Sequence, residues 1–148
     1  MFFADTSRSS ILRLSSSQLF PISEKSNRSL FEDRFATFNA YNGNDGRIVS
    51  GYDPHIDRYY VTFVMGNDSD TVGYDVFGGR GGDGGWVSRY TFYPTNYANQ
   101  NNLMYSCLWN DPDTDNDFDQ QLFWAHDANS NNTFYGQVGA SVVEYVSK

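Results

Sequence analysis

Cysteine is almost missing from this 148-residue chain: Cys107 stands alone. One thiol excludes an internal disulfide framework and a cysteine-built zinc centre. Basic residues are scarce too, ten Lys and Arg against 18 Asp and Glu, for a net charge of −8. They are scattered, with no cluster of four. Nucleic-acid binders draw most of their affinity from Lys and Arg neutralising phosphates, so sequence-specific nucleic-acid binding is not expected. No stretch approaches the run of about 20 apolar residues that a membrane helix needs, and no membrane partner is expected. Met1-Phe2-Phe3-Ala4-Asp5 meets an acid before any apolar region develops, unlike a secretory leader. On that expectation, the glycosylation-type triplets at Asn27, Asn67 and Asn131 are coincidences. Thirteen glycines and four prolines are too few for collagen or a low-complexity linker.

Aromatic residues are abundant: 12 Phe, 11 Tyr and three Trp make 18% of the chain, a share that argues against disorder. The dominant pattern is β. Short runs rich in β-branched and aromatic residues occur at 11–14, 48–52, 58–65, 71–77, 85–93, 103–109, 121–126 and 141–146. Each is bounded by Gly, Asn, Asp, Pro or Ser, the punctuation expected between strands. Alternation puts Tyr59, Val61 and Phe63 on one face of their strand and Tyr60 and Thr62 on the other. It likewise groups Trp86, Ser88, Tyr90 and Phe92 opposite Val87, Arg89, Thr91 and Tyr93. Bulky groups on both faces suit a sheet packed between neighbours.

Asp53-Pro54 marks a turn, because proline fixes φ for the second turn position. Flanked by the runs at 48–52 and 58–65, it predicts a β-hairpin. One helix is expected near residues 24–38, capped by Ser23 and carrying an apolar stripe of Leu30, Phe31, Phe35 and Phe38 beside Arg34. Strands every 10 to 14 residues predict a single all-β domain over 1–148, as a sandwich, barrel or propeller. A loose echo between 48–65 and 85–108, each strand, polar turn, aromatic strand, suggests blade-like hairpins.

Candidate chemistry is thin. The glycine-rich stretch 78–85 superficially fits a calcium-binding nonapeptide, but that motif works by stacking many copies, and one copy predicts a hairpin loop. It also lacks the Gly-Lys-Ser/Thr of a phosphate-binding loop. Asp111, Asp113, Asp115, Asp117 and Asp119 place an acid at every second position. In extended chain these carboxylates would repel one another, and Ca²⁺ would relieve the repulsion. The helix-loop-helix calcium site needs glycine at its sixth position and glutamate at its twelfth. Counting from Asp111 gives Asn116 and Leu122, so a solvated acidic loop is the expected state, with no resident metal or cofactor. His55 and His126 would have to meet in space to share a metal. Cys107 lies in an apolar strand, where a buried, inert thiol is the default. No Gly-x-Ser-x-Gly elbow occurs, the acids offer no differentiated glycosidase pair, and no catalytic residue is assigned. Tyr59, Phe63, Trp86, Tyr90, Trp109 and Trp124 are the candidate core or interface aromatics.

Several segments, in order, carry a resemblance. Phe2-Phe3-Ala4-Asp5, Ile11-Leu12-Arg13-Leu14-Ser15, Leu19-Phe20-Pro21-Ile22-Ser23 and Ser29-Leu30-Phe31-Glu32-Asp33 resemble the strand, arginine-leucine strand, proline-isoleucine-serine and short-helix passage of large tail-associated structural proteins of tailed bacteriophages. Gly51-Tyr52-Asp53-Pro54 with Tyr59-Tyr60-Val61-Thr62-Phe63 is similar to that family's hairpin. Gly85-Trp86-Val87-Ser88-Arg89-Tyr90 with Pro94, Asn101-Asn102-Leu103-Met104-Tyr105, and Leu122-Phe123-Trp124-Ala125-His126 with Asn131-Asn132-Thr133-Phe134-Tyr135-Gly136 follow in the same order. The resemblance implies a non-enzymatic virion structural protein of the distal tail, of the muzzle or nozzle kind of short-tailed and crAss-like phages. It further implies a partial β-propeller of two to three blades, a fragment of a larger one. Its partners would be copies of itself and other virion tail proteins, with assembly in the bacterial host cytoplasm. The stretches 78–85 and 111–119 are insertions relative to that family. The alternative is a carbohydrate- or receptor-binding β-module at the tail tip, with Trp86, Trp109 or Trp124 exposed beside the acidic loop.

Overall fold

A computed structural model describes residues 1–16, 18–24, 27–44, 46–77, 84–90, 92–110 and 120–126, with 108–110 and 120–125 described as backbone. The strand expected at 141–146 and the acidic stretch 111–119 lie outside the described residues, as does most of the glycine-rich stretch. Ten strands and one helix are present among the described residues: β1 (Phe2–Asp5), β2 (Ser10–Ser15), β3 (Gln18–Pro21), α1 (Arg28–Ala40), β4 (Arg47–Asp53), β5 (Arg58–Val64), β6 (Asp70–Asp75), β7 (Gly85–Tyr90), β8 (Asn96–Gln100), β9 (Leu103–Asn110) and β10 (Gln120–His126). They form three antiparallel sheets, β1-β2-β3, β4-β5-β6-β7 and β8-β9-β10, with neighbours in chain order paired throughout. The fold is all-β with one helix.

The expected hairpin is β4 and β5, in register from Arg47↔Val64 to Asp53↔Arg58. Residues 54–57 form its loop: the Asp53 Oδ1 accepts a hydrogen bond from His55 N at 2.9 Å, and Asp57 closes the turn with φ 51°. An Asp that bonds the backbone two residues on, followed by proline, is a local turn former.

The central sheet is covered on both faces, as the two-sided bulk of β5 requires: Tyr59, Tyr60, Val61, Thr62, Phe63 and Val64 are all buried. Period-two alternation divides them. On the first face the rows Tyr52/Tyr59/Tyr74 and Ser50/Val61/Val72 meet Phe31 and Phe35 of α1, Phe2 and Ile11 of the first sheet, and Ile22 just after it. Phe2 stacks on Tyr59 at 4.4 Å between centroids, and Phe35 meets Phe63 edge-on at 5.2 Å. On the second face the row Gly51/Tyr60/Gly73 meets Phe92, Tyr97 and Met104, which belong to the third sheet and its approach.

Two expectations are corrected. The helix begins at Arg28, not near residue 24, because Ser23 is already engaged: its Oγ accepts a hydrogen bond from Ile11 N at 3.0 Å and pairs with Ser10 Oγ at 3.0 Å, both buried. A hydroxyl spent on β2 cannot cap α1. Asn27, the actual N-cap, makes no side-chain cap bond, so the buried Phe31/Phe35 face rather than capping holds this helix in place. Trp86 and Tyr90 do not share a face. The register shifts between Gly73 and Tyr74, so Trp86 pairs with Tyr74 and Ser88 with Gly73, leaving Val87 as the extra residue of a β-bulge. One inserted residue inverts the alternation: Trp86 joins the first-face core, Tyr90 packs on the second, and Val87 is left exposed.

Candidate functional site: the joint between the second and third sheets

Residues 96–100 read Asn-Tyr-Ala-Asn-Gln, poor in strand formers, yet they pair with β9 and lie across β4. Gly51 makes this possible. A Cβ there would sit 2.6 Å from Tyr97 Cγ, so only glycine lets the Tyr97 ring lie against the sheet. The Tyr97 hydroxyl then bonds Thr62 Oγ1 at 2.7 Å, Thr62 bonds Thr71 Oγ1 at 2.7 Å, and Thr71 donates to the Phe92 carbonyl at 2.6 Å. Each hydroxyl has one proton, and the terminal acceptor is a carbonyl. The donors must therefore run Tyr97 to Thr62 to Thr71 to Phe92. Asn99 Nδ2 adds a bond to the Tyr52 carbonyl at 2.8 Å.

Tyr60 occupies the middle of this joint, between two glycines in register, Gly51 and Gly73. Tyr90, Phe92, Tyr97 and the His126 ring lie 5.6, 6.1, 6.5 and 5.7 Å from it between centroids. Arg58 Nη1 donates to the Tyr90 hydroxyl at 3.1 Å. Burial, with the nearby Tyr90 second, pushes the Tyr60 phenol well above its ordinary pKa. His126 is 4% exposed and shares a 2.8 Å hydrogen bond with Ser106 Oγ. Burial lowers its pKa from 6.5 to about 4, so the imidazole is neutral near neutral pH. Burial likewise raises the Cys107 thiol, consistent with an inert sulfur.

Charge is arranged at two other places. Asp70, buried at 4%, receives Arg34 Nε of α1 at 3.3 Å and Arg89 Nε of β7 at 2.6 Å on the same oxygen. At the β4–β5 turn the Tyr52 hydroxyl donates to Asp57, which carries the phenol pKa up to about 12. Asp53, also buried at 4%, is raised by burial against the opposing pull of the His55 backbone bond. A polar cleft of about 230 Å³ lies between the β1–β2 turn and the start of α1. There Arg8 pairs with Asp5 at 3.6 Å and Arg28 with Glu32 at 2.7 Å.

Of the aromatics singled out from sequence, Tyr59 and Phe63 are buried in the first-face core. Trp86 packs beside them at 4.4 Å from Phe31, with its Nε1 donating to the Ile22 carbonyl at 2.9 Å. Trp86 is therefore no exposed sugar platform. Tyr90 belongs to the joint. Trp109 pairs with Gln121 and Trp124 with Ser106, register positions of opposite parity on adjacent strands. The five aspartates at 111–119 lie outside the described residues. His55 is exposed in the hairpin loop while His126 is buried in the joint. No group of three His, Cys, Asp or Glu side chains able to hold a metal occurs among the described residues. Sequence reasoning passed over Arg58, Asp70, Tyr97 and Ser106. Only Tyr97, an aromatic in a polar run following Pro94, carried a usable signal. No family model, no curated protein and no solved structure matches the chain.

Proposed function

We propose that this chain is a non-enzymatic structural subunit of a phage tail, contributing to the tail channel or distal tail, and that its sheets are blades of a partial β-propeller. The observation that carries the reading is the face-to-face succession, among the described residues, of three antiparallel sheets in chain order, the middle one a four-stranded meander, with none closed on itself. Propeller blades are four-stranded sheets stacked in this sense around a channel. The family reading rests on the resemblance of the collinear segments described above, and the β4–β5 hairpin falls on one of them. A net charge of −8 suits a channel that must pass DNA without trapping it. Open sheet edges call for neighbours, which in this reading are further copies and other tail proteins.

Negative-stain electron microscopy of the purified full chain at high concentration tests the proposal. Rings or regular stacks are expected, and single particles the size of one chain would overturn it. Binding on a glycan array that is lost with EDTA would instead assign a carbohydrate- or receptor-binding module.

A further inference from the structure

The two faces of the central sheet are sealed by different means. The first carries a large apolar core of Phe31, Phe35, Phe63, Val61 and their neighbours. The described residues of the second bring together Tyr60, Phe92 and Met104, with side-chain hydrogen bonds from Tyr97 and Asn99 of β8 to the central sheet. Among the described residues the two clusters share no buried side chain. Separately packed regions of a fold open at different free energies.

We propose that His126 is an acid-sensitive latch: neutral, it clasps the third sheet to the central one, and protonated, it leaves the joint, so that β8–β10 open while α1 and the first sheet stay folded. The ring lies between Tyr60 of β5 and Phe92, 5.7 and 6.0 Å away, and bonds Ser106 of β9. Placing a full charge there strips it of water among aromatic rings.

Among the described residues, the other titratable groups of the joint do not imitate this response. Tyr60 of β5 is raised by burial and stays neutral in acid. Tyr90 of β7 and Tyr97 of β8 also line the joint, and Arg58 of β5 remains a cation. On β9 Tyr105 and Cys107 take the alternate register positions to Met104, the partner of His126. Asp53 and Asp75 stand in register with Arg58 at the end of the row beyond Tyr60. Asp53 titrates with the opposite sign, because burial raises its carboxyl and protonation relieves that burial. For His126 the closed form holds fewer protons than the open one. Its contribution is complete above pH 6.5 and lost as pH falls towards 4. The opening constant rises by up to about tenfold per pH unit in that window.

Amide hydrogen exchange of the full chain at pH 7 and pH 5, read as protection factors, tests the latch. Protection of β8 and β9 is expected to fall about twentyfold while that of α1 and β2 changes less than about twofold. In His126→Gln the β8–β9 protection loses its pH dependence. Should that variant fail to fold, the ring titration of His126 in the unmodified protein, followed by NMR, decides. A ring titrating well below 6.5, with β8–β9 loss following it, supports the latch. An equal loss in both halves, a retained pH response in the variant, or a ring titrating at 6.5 without change in the third sheet overturns it.

Discussion

Replacing Gly51 with alanine should destabilise the protein through one contact. The new methyl would meet Tyr97 Cγ at 2.6 Å and Tyr97 Cβ at 2.8 Å, where ordinary contacts lie at 3.4–4 Å. The clash is with the root of the tyrosine and not its flexible tip, so β8 must move by about 1 Å, an overpacking change worth about 1–3 kcal/mol. That movement also strains the Tyr97–Thr62 hydroxyl bond, worth roughly 1 kcal/mol. A loss near 2 kcal/mol should lower Tm by about 4–8 °C in a chain of this size. Urea unfolding followed by far-ultraviolet circular dichroism measures it. The sign should reverse once the whole side chain, Cβ included, is gone. In a Tyr97→Gly background the same substitution should stabilise by about 0.5–1 kcal/mol, the usual penalty of glycine inside a strand. Gly51→Ala that is neutral alone, or equally harmful without the tyrosine side chain, would refute the close approach as the reason for this glycine.

Asp70→Ala should cost about 2 kcal/mol in chemical denaturation, because it strands Arg34, whose side chain is only 18% exposed. Arg89→Ala, removing a side chain that is 53% exposed, should cost less than about 1 kcal/mol, and the reverse order would contradict the assignment. In an alkaline titration followed by phenolate absorbance, Tyr52 and Tyr59 should ionise late, near 12, the first held by Asp57 and the second by burial. Asp57→Asn should advance Tyr52 and leave Tyr59 in place. Since the folded Tyr59 value lies above its ordinary 10, its contribution to stability is present below pH 10 and lost as pH rises towards 12.

The β4–β5 hairpin was legible because its signals are local: a proline after an aspartate, with β-rich runs on each side. The two-faced burial of β5 was legible for a similar reason, since Tyr59-Tyr60-Val61-Thr62-Phe63 has no polar side to leave in water. The face assignment of Trp86 was not, because a bulge is set by the pairing of β6 with β7 and leaves no mark in the alternation of either strand. Ser23 misled for a related reason. A serine before a helical stripe has the form of a cap, and only the folded β2 strand shows its hydroxyl committed to Ile11. Strand β8 escaped notice because asparagine-rich sequence disfavours strands, and its pairing rests on Tyr97 seated over Gly51. Of the joint itself, Tyr90 and His126 were singled out from sequence, while Arg58, Tyr97 and Ser106 gain their meaning from three strands distant in the chain.

Light scattering of the purified protein across a concentration series, with and without Ca²⁺, bears most directly on the proposed role in assembly. A shift to defined oligomers as concentration rises, indifferent to Ca²⁺, is the expected result. A compact monomer at every concentration would contradict it, and a mass that changes only with Ca²⁺ would redirect attention to the aspartates at 111–119.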